Sequence, residues 1–332
     1  MKKNLLLTGG AGYIGSWFLA KYSDDYNIKV IDTFFFNGED NLIKYKVPFL
    51  KKDIREININ DLEGIDYVVH MAELSNDPLG EINSQLTKSI NIDGTKKLLE
   101  LSKKTSIEKF IYMSSCSVYG DSGDSLVSEN SATNPLTEYA KAKIVNEKFL
   151  LENQYDFEIK ILRNATAFGY SENTRTDLVI NDLSLSALKN DVISVLSDGS
   201  PRRPFVHIGD ISRFINHLIK YDNTSKLLIN VGSQELNFTV KEIANLVGNI
   251  TGVKNISFGE SDNDARSYFV NFEKINNEFS NFKFKFKIED GIKEFIENYE
   301  YIVQNKLNAK RLNKIKTLLT KNNLDSNLFW RI

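Results

Sequence analysis

The sequence predicts an α/β fold, a doubly wound parallel sheet followed by a smaller C-terminal α/β unit. Three observations carry that prediction. Short apolar runs alternate with longer helical patterns through the first half of the 332-residue chain, the rhythm of strand–helix–strand crossovers. The runs are nearly continuous rather than alternating, as expected of strands covered on both faces. The first run feeds a glycine-rich turn that opens a helix, "LLLTGGAGYIGS" at residues 5–16.

Taken in order, "NLLLT" (4–8), "IKVID" (28–32), "VPFLKKDI" (47–54), "DYVVHMA" (66–72), "KFIYMS" (109–114) and "EIKILR" (158–163) read as buried strands. Helical patterns lie between them at 13–22, 83–104 and 136–153. After about residue 165 the rhythm loosens. Helices are expected at 176–190, 210–221, 239–252 and 288–304, and strands at 203–208 and 226–232. No repeat, low-complexity tract or Pro/Gly linker separates the halves, so the second part packs on the first and forms a cleft. The tail carries Leu307, Leu312, Ile315, Leu318 and Leu319 near helical spacing, which reads as a helix docked on the body or on a partner subunit.

Composition narrows the function. Hydrophobic residues at 41% and charged residues at 26% are ordinary for a globular protein. A formal net charge of -2 with no block of one sign argues against nucleic acid as the main partner. One cysteine excludes an internal disulfide, and three histidines make a Cys/His metal site unlikely, so no metal is expected. No apolar run approaches the ~20 residues of a membrane span. The lysines and leucines at the start are broken at once by Thr8-Gly9-Gly10, so they read as a strand rather than a signal peptide, and the protein reads as cytoplasmic.

Gly9, Gly12 and Gly15 form a GxxGxxG turn, with Tyr13 and Ile14 inside it. Such a turn lets backbone approach a pyrophosphate, and the helix start behind it favours anions. The second strand ends in Asp32, which can accept hydrogen bonds from ribose hydroxyls and would repel a 2′-phosphate, favouring NAD over NADP. Tyr139 and Lys143 are four apart on one expected helix and share a face. An ammonium beside a phenol stabilises phenolate and prepares it for proton transfer. Ser115 follows the strand at 109–114, at the carboxyl edge where ligands bind in such sheets. Cys116 beside it has no histidine suggested as an activating base and is not expected to be a nucleophile.

Together the motifs TGGAGYIGS (8–16), Asp32, KDI (52–54), VVHMAE (68–73), NIDGT (91–95), MSSCSVYG (113–120), YAKAK (139–143), LRNATAFG (162–169) and RRPFVHIGD (202–210) resemble the extended short-chain dehydrogenase/reductases. Within them the chain is similar to the NAD-dependent epimerase/dehydratase group that includes UDP-glucose 4-epimerase, from Asn4 to about Tyr299. The resemblance implies a Rossmann domain at 1–168 that binds NAD, with 203–236 returning to it. A nucleotide-sugar domain would occupy 169–202 and 237–300, and a helical extension 301–332. It implies Ser115, Tyr139 and Lys143 as the catalytic set. Asp53 and Ile54 would contact adenine, Ala72 would lie along the cofactor, Asn91 would order the site, and Lys143 would also hold the nicotinamide ribose. Arg203 and Arg266 look like arginines that grip the diphosphate of the substrate, with Asn181 on the diphosphate side and Ser117 and Thr166 near the sugar. A homodimer through the helices at 83–104 and 136–153 is implied as well.

Three departures shape the reading. Cys116-Ser117 stands where relatives that perform 4,6-dehydration carry an Asp-Glu pair, which disfavours dehydration and also weakens UDP-uronate decarboxylation. Thr166 stands where an Asn often contacts substrate. "HMAELSNDP" (70–78) carries Glu73 and an Asn76-Asp77-Pro78 turn, unlike the common epimerase sequence. The expected function is NAD-dependent redox chemistry at C4 of a nucleotide sugar, as a 4-epimerase. The alternatives are a C4 dehydrogenase, a 4-keto reductase, or a non-catalytic NAD-sensing protein on the same fold.

Overall fold

The structure is a computed structural model that describes residues 2–75, 83–221, 226–260, 266–305, 307 and 310–331. Its centre is a seven-stranded sheet in the spatial order Leu227–Val231, Glu158–Asn164, Lys109–Ser115, Tyr67–His70, Asn4–Thr8, Asn27–Asp32, Phe49–Lys51. Every pairing in it is parallel. This is the doubly wound Rossmann order extended by one strand, and the α/β class expected from the sequence is the one found.

The continuous apolar runs are explained by two cores. Successive strand residues point to opposite faces, so Leu5, Leu7, Ile111 and Met113 enter one core. Leu6, Phe110, Tyr112 and Ile161 enter the other. Lys109 is buried within this apolar strand because its ammonium donates to the carbonyls of Leu218 at 2.8 Å and Tyr221 at 2.7 Å, closing the end of the helix Ile208–Lys220.

The strand expected at 47–54 is only Phe49–Lys51. Asp53 ends it by accepting from the Arg55 N–H and capping a turn of 3-10 helix. Pro48 is tolerated because this strand is the sheet edge. The helix expected at 83–104 is interrupted by a π-helical turn at Lys88–Asp93. The one expected at 288–304 divides at Asn298 into Ile288–Glu297 and Tyr299–Gln304.

A third core gathers Phe168, Ile180, Phe205, Ile243, Val247 and Ile292 around the helices Val179–Asn190, Val240–Thr251 and Ile288–Glu297. The stretch 203–236 is divided between the two units. Leu227–Val231 joins the main sheet, while Arg202–His207 pairs with Thr166–Phe168 and Asn237–Thr239. Strands at Ile193–Val195, Ile256–Phe258 and Ser267–Val270 were not foreseen, being too short to show a period. The tail helix Arg311–Thr320 docks on the body, where Leu312, Ile315, Leu318, Leu319 and Leu324 join the core that holds Phe35 and Ile54.

Candidate active site

Thr8, Asp32, His70, Ser115 and Asn164 all end strands at the carboxyl edge of the sheet, and a cleft opens along part of that edge. The glycine turn forms its floor. Gly9 has φ of 70° and a Cβ there would lie 2.7 Å from the Ala72 nitrogen. A Cβ on Gly15 would lie 2.2 Å from the Gly10 carbonyl oxygen. Only glycine lets the first strand, the turn and the first helix approach this closely. Gly9, Gly12, Tyr13, Ile14 and Gly15 line the cleft, together with Asp32, Asp53, Ile54 and Ala72. The sequence-predicted cofactor residues on these loops are thus brought together.

Asp32 accepts from the Ala11 N–H at 3.1 Å and the Phe34 N–H at 2.9 Å. Burial raises its pKa above the ordinary carboxylate value, and those two N–H groups pull it back. The carboxylate keeps acceptor capacity for further donors such as ribose hydroxyls. Both oxygens of Asp53 are engaged by the Arg55 guanidinium at 2.8 Å. Asn91 is wholly buried in the π-helical turn and clamps the Leu74 backbone, accepting from its N–H at 2.9 Å and donating to its carbonyl at 3.2 Å. It orders the segment after the fourth strand without lining the cleft.

Tyr139 and Lys143 lie on the helix Glu138–Glu152, which Thr137 caps. The Lys143 ammonium sits 5.2 Å from the centre of the Tyr139 ring and 4.8 Å from that of Tyr112. It also makes close contacts with the Met113 carbonyl and the Glu73 carboxylate. Burial works against its charge, but Glu73, then Tyr139, outweigh burial and hold its pKa above the ordinary lysine value. Glu73, itself buried, accepts from Tyr112 at 2.8 Å, and burial raises its pKa despite Lys143. His70 bridges Thr8 at 2.6 Å and Thr95 at 2.8 Å, and burial, then Lys143, lower its pKa to about 3. It is neutral at physiological pH.

Ser115 ends its strand opposite Asn164 and caps the turn Cys116–Tyr119, accepting from the Ser117 N–H at 3.1 Å. That bond uses a lone pair and leaves its O–H to donate. Cys116 is buried, its thiol pushed well above the ordinary value by burial, and its sulfur donates to the Arg163 carbonyl at 3.1 Å. The Ser117 hydroxyl is buried.

In the second unit, Arg203 is buried with its guanidinium 5.2 Å from the Tyr268 ring centre, and Arg266 stands just before the strand that carries Tyr268. The Arg202 N–H donates to the Ser267 hydroxyl at 3.2 Å, so the segments that carry the two arginines run side by side. Thr166 is half-buried on the strand beside Arg202–His207. Asn181 points inward. It is wholly buried, accepts from the Gly169 N–H at 3.2 Å, and donates to the Arg175 carbonyl at 2.7 Å and Tyr13 at 3.0 Å. Its amide is engaged within the fold at each of these contacts. The Asn76-Asp77-Pro78 turn lies outside the described residues.

Several supporting residues were missed. Asn146 donates to the Asn91 carbonyl at 2.7 Å and to Tyr112 at 2.9 Å. Glu147 grips Arg163 at 2.6 Å and 3.0 Å. Both lie three or four residues beyond Lys143 on one helix face, a spacing that could have found them.

An α/β sheet with this cleft and a Tyr–Lys pair at its carboxyl edge defines a nicotinamide-dinucleotide protein. The chain belongs to the NAD dependent epimerase/dehydratase family, whose profile matches residues 5–232. NAD is accordingly its cofactor, and the glycine turn, Asp32 and the Ala72 backbone fit that group. A putative UDP-glucose 4-epimerase of Methanocaldococcus jannaschii is 27% identical over 300 residues, covering 88% of this chain and 97% of that protein. The dTDP-D-glucose 4,6-dehydratase of Mus musculus is 27% identical over 333 residues, covering 93% and 92%. The UDP-glucuronic acid 4-epimerase of Bacillus cereus, solved with UDP-glucuronic acid and NAD, superposes with a TM-score of 0.80 at 25% identity, covering 91% of this chain and 99% of that one. Among the described residues, no helix is long and apolar enough to cross a membrane, and no cluster of His, Cys, Asp and Glu suits a metal ion.

Proposed function

We propose that the protein carries out NAD-dependent redox chemistry at C4 of a nucleotide-linked sugar and acts as a nucleotide-sugar 4-epimerase. The observation that carries this reading is the Lys143 ammonium held 5.2 Å from the Tyr139 ring centre, on the helix beside the strand that ends in Ser115. Tyr139, as phenolate, takes the proton of the C4 hydroxyl. Ser115 donates a hydrogen bond to the C4 oxygen as its charge develops. Lys143 favours the phenolate and, with Asp32, the glycine turn and Ala72, holds the cofactor. Bound NAD would supply the acceptor for the C4 hydrogen as hydride and, once the keto sugar had turned in the site, the donor to its other face. Protonation of the C4 oxygen by Tyr139 then completes the inverted alcohol.

Cys116 and Ser117 support C4 chemistry over 4,6-dehydration. Elimination across C5–C6 needs an acid and a base, and a buried thiol of raised pKa and a buried hydroxyl are poor candidates for either. Arg203 and Arg266 are the proposed grip on the substrate diphosphate, since guanidinium offers paired donors to phosphate oxygens. Ser117 and Thr166 are proposed on the sugar side. A homodimer through the helix Glu138–Glu152 belongs to the same proposal, supported by Val145 and Leu151 exposed on that helix.

A panel of nucleotide sugars screened by thermal shift, followed by product analysis at C4, tests the reading. Stabilisation by one nucleotide series with inversion at C4 supports it. Net formation of keto sugar with reduced cofactor would assign a dehydrogenase instead.

A further inference from the structure

The C-terminal segment lies outside the matched family profile, yet it reaches the cofactor cleft. Trp330 Nε1 donates to the Thr33 carbonyl at 2.6 Å, just after Asp32. The Phe329 ring lies 3.8 Å from the Arg55 guanidinium, which also donates to the Asn327 carbonyl at 2.9 Å. Lys314 donates to Asn37 at 2.7 Å. Between these anchors, Arg311 turns its side chain into the cleft, where it lines the wall with Arg175.

The setting of Arg311 is short of anions. Its guanidinium rests 4.5 Å from the Phe36 ring centre and donates to the Ser75 hydroxyl at 2.8 Å. A guanidinium has five N–H donors. The two carboxylates that face it, Asp32 and Asp177, already have other donors. Asp32 accepts from the backbone of Ala11 and Phe34, and Asp177 holds Arg175 at 2.9 Å and 3.1 Å. Arg175 reaches the Ser75 carbonyl at 3.2 Å, so two cations converge on one residue. Burial, then repulsion from Arg175, lower the Arg311 pKa to about 9. A cation so placed is stabilised by an incoming anion. The cleft that it lines is the one whose glycine turn accepts a dinucleotide diphosphate.

We propose that Arg311 is a cofactor ligand: the segment 310–331 straps the cleft and sets a guanidinium on the diphosphate of the bound dinucleotide. The cofactor site is then built from both ends of the chain, and the tail must be docked for NAD to be held tightly. The bland alternative is a cation that merely stacks on Phe36. It predicts no dependence of NAD affinity on the charge.

The test is calorimetric binding to cofactor-stripped protein, without sugar, so the result stands whatever reaction is catalysed. Arg311→Gln should weaken NAD and ADP-ribose by roughly ten- to a hundred-fold, the scale of a lost charged hydrogen bond. It should leave adenosine and UDP unchanged. Arg311→Lys should recover part of the loss, since it restores charge but not the fork. Unchanged NAD affinity, equal weakening of adenosine, or a loss confined to UDP would each overturn the proposal, the last assigning Arg311 to the substrate diphosphate. Should the variants not fold, hydrogen exchange on the wild-type protein decides. NAD should slow amide exchange across 311–320, and exchange there that ignores NAD refutes the strap.

Discussion

Lys143 and Glu73 form an ion pair that is almost wholly buried, with side chains 4% and 3% exposed. The carboxylate partly neutralises the ammonium next to Tyr139, so the lysine acts on the phenol with less than its full charge. Glu73→Gln removes that compensation, and more of Tyr139 is phenolate at a given pH. The acidic limb of the activity–pH profile should move down by roughly one unit. Leaving Lys143 buried without its partner should cost about 3 kcal/mol, read by denaturant unfolding. A limb that stays in place, or moves up, contradicts this role for Glu73.

Tyr139→Phe should lower turnover by roughly a hundred-fold or more, the usual range for losing a positioned acid–base group. NAD affinity should change little, because the glycine turn and Asp32 remain. Turnover that survives the change would favour a non-catalytic, NAD-sensing protein. Parallel kinetics and calorimetry separate the outcomes.

His70 makes a pH prediction. Its folded pKa is about 3 against 6.5 for the free side chain. Between these values the unfolded chain binds a proton that the folded chain does not, so stability falls as pH drops through this window. The slope from this one group approaches about 1.4 kcal/mol per pH unit. His70→Gln should have a shallower stability–pH slope than the wild type between pH 6 and 4. Identical slopes would remove His70 from the acid sensitivity.

Cys116→Ala should retain turnover within about two-fold and lose on the order of 1 kcal/mol of stability from the vacated volume and the lost contact with Arg163. Thiol reagents should react slowly with the native protein, since the thiol is buried and its pKa raised. Rapid modification with loss of turnover would contradict its passive place.

Much of this molecule was legible beforehand, for identifiable reasons. The first helix and the strand Asn4–Thr8 match their expected spans because a buried parallel strand and a glycine turn each have one strong local signature. Tyr139 and Lys143 were legible because four-residue spacing on a helix is a geometric statement. The pairing of Lys143 with Glu73 was not, since it joins a helix to a loop 70 residues earlier in the sequence. The inward contacts of Asn181 were not legible, because an amide on an amphipathic helix looks the same whether it faces a ligand or the frame. Arg311 was invisible for a related reason. The tail's leucines announce a helix, but only the docked geometry shows where its first arginine turns.

The central claim is reversible oxidation at C4, and deuterium tests it most directly. The nucleotide sugar selected by thermal shift is labelled with deuterium at C4 and incubated with the protein as purified, with no cofactor added. The account predicts an inverted C4 centre that still carries the deuterium. Deuterium found at C6 of a 4-keto-6-deoxy product, or lost from the sugar as reduced cofactor appears in solution, would contradict it.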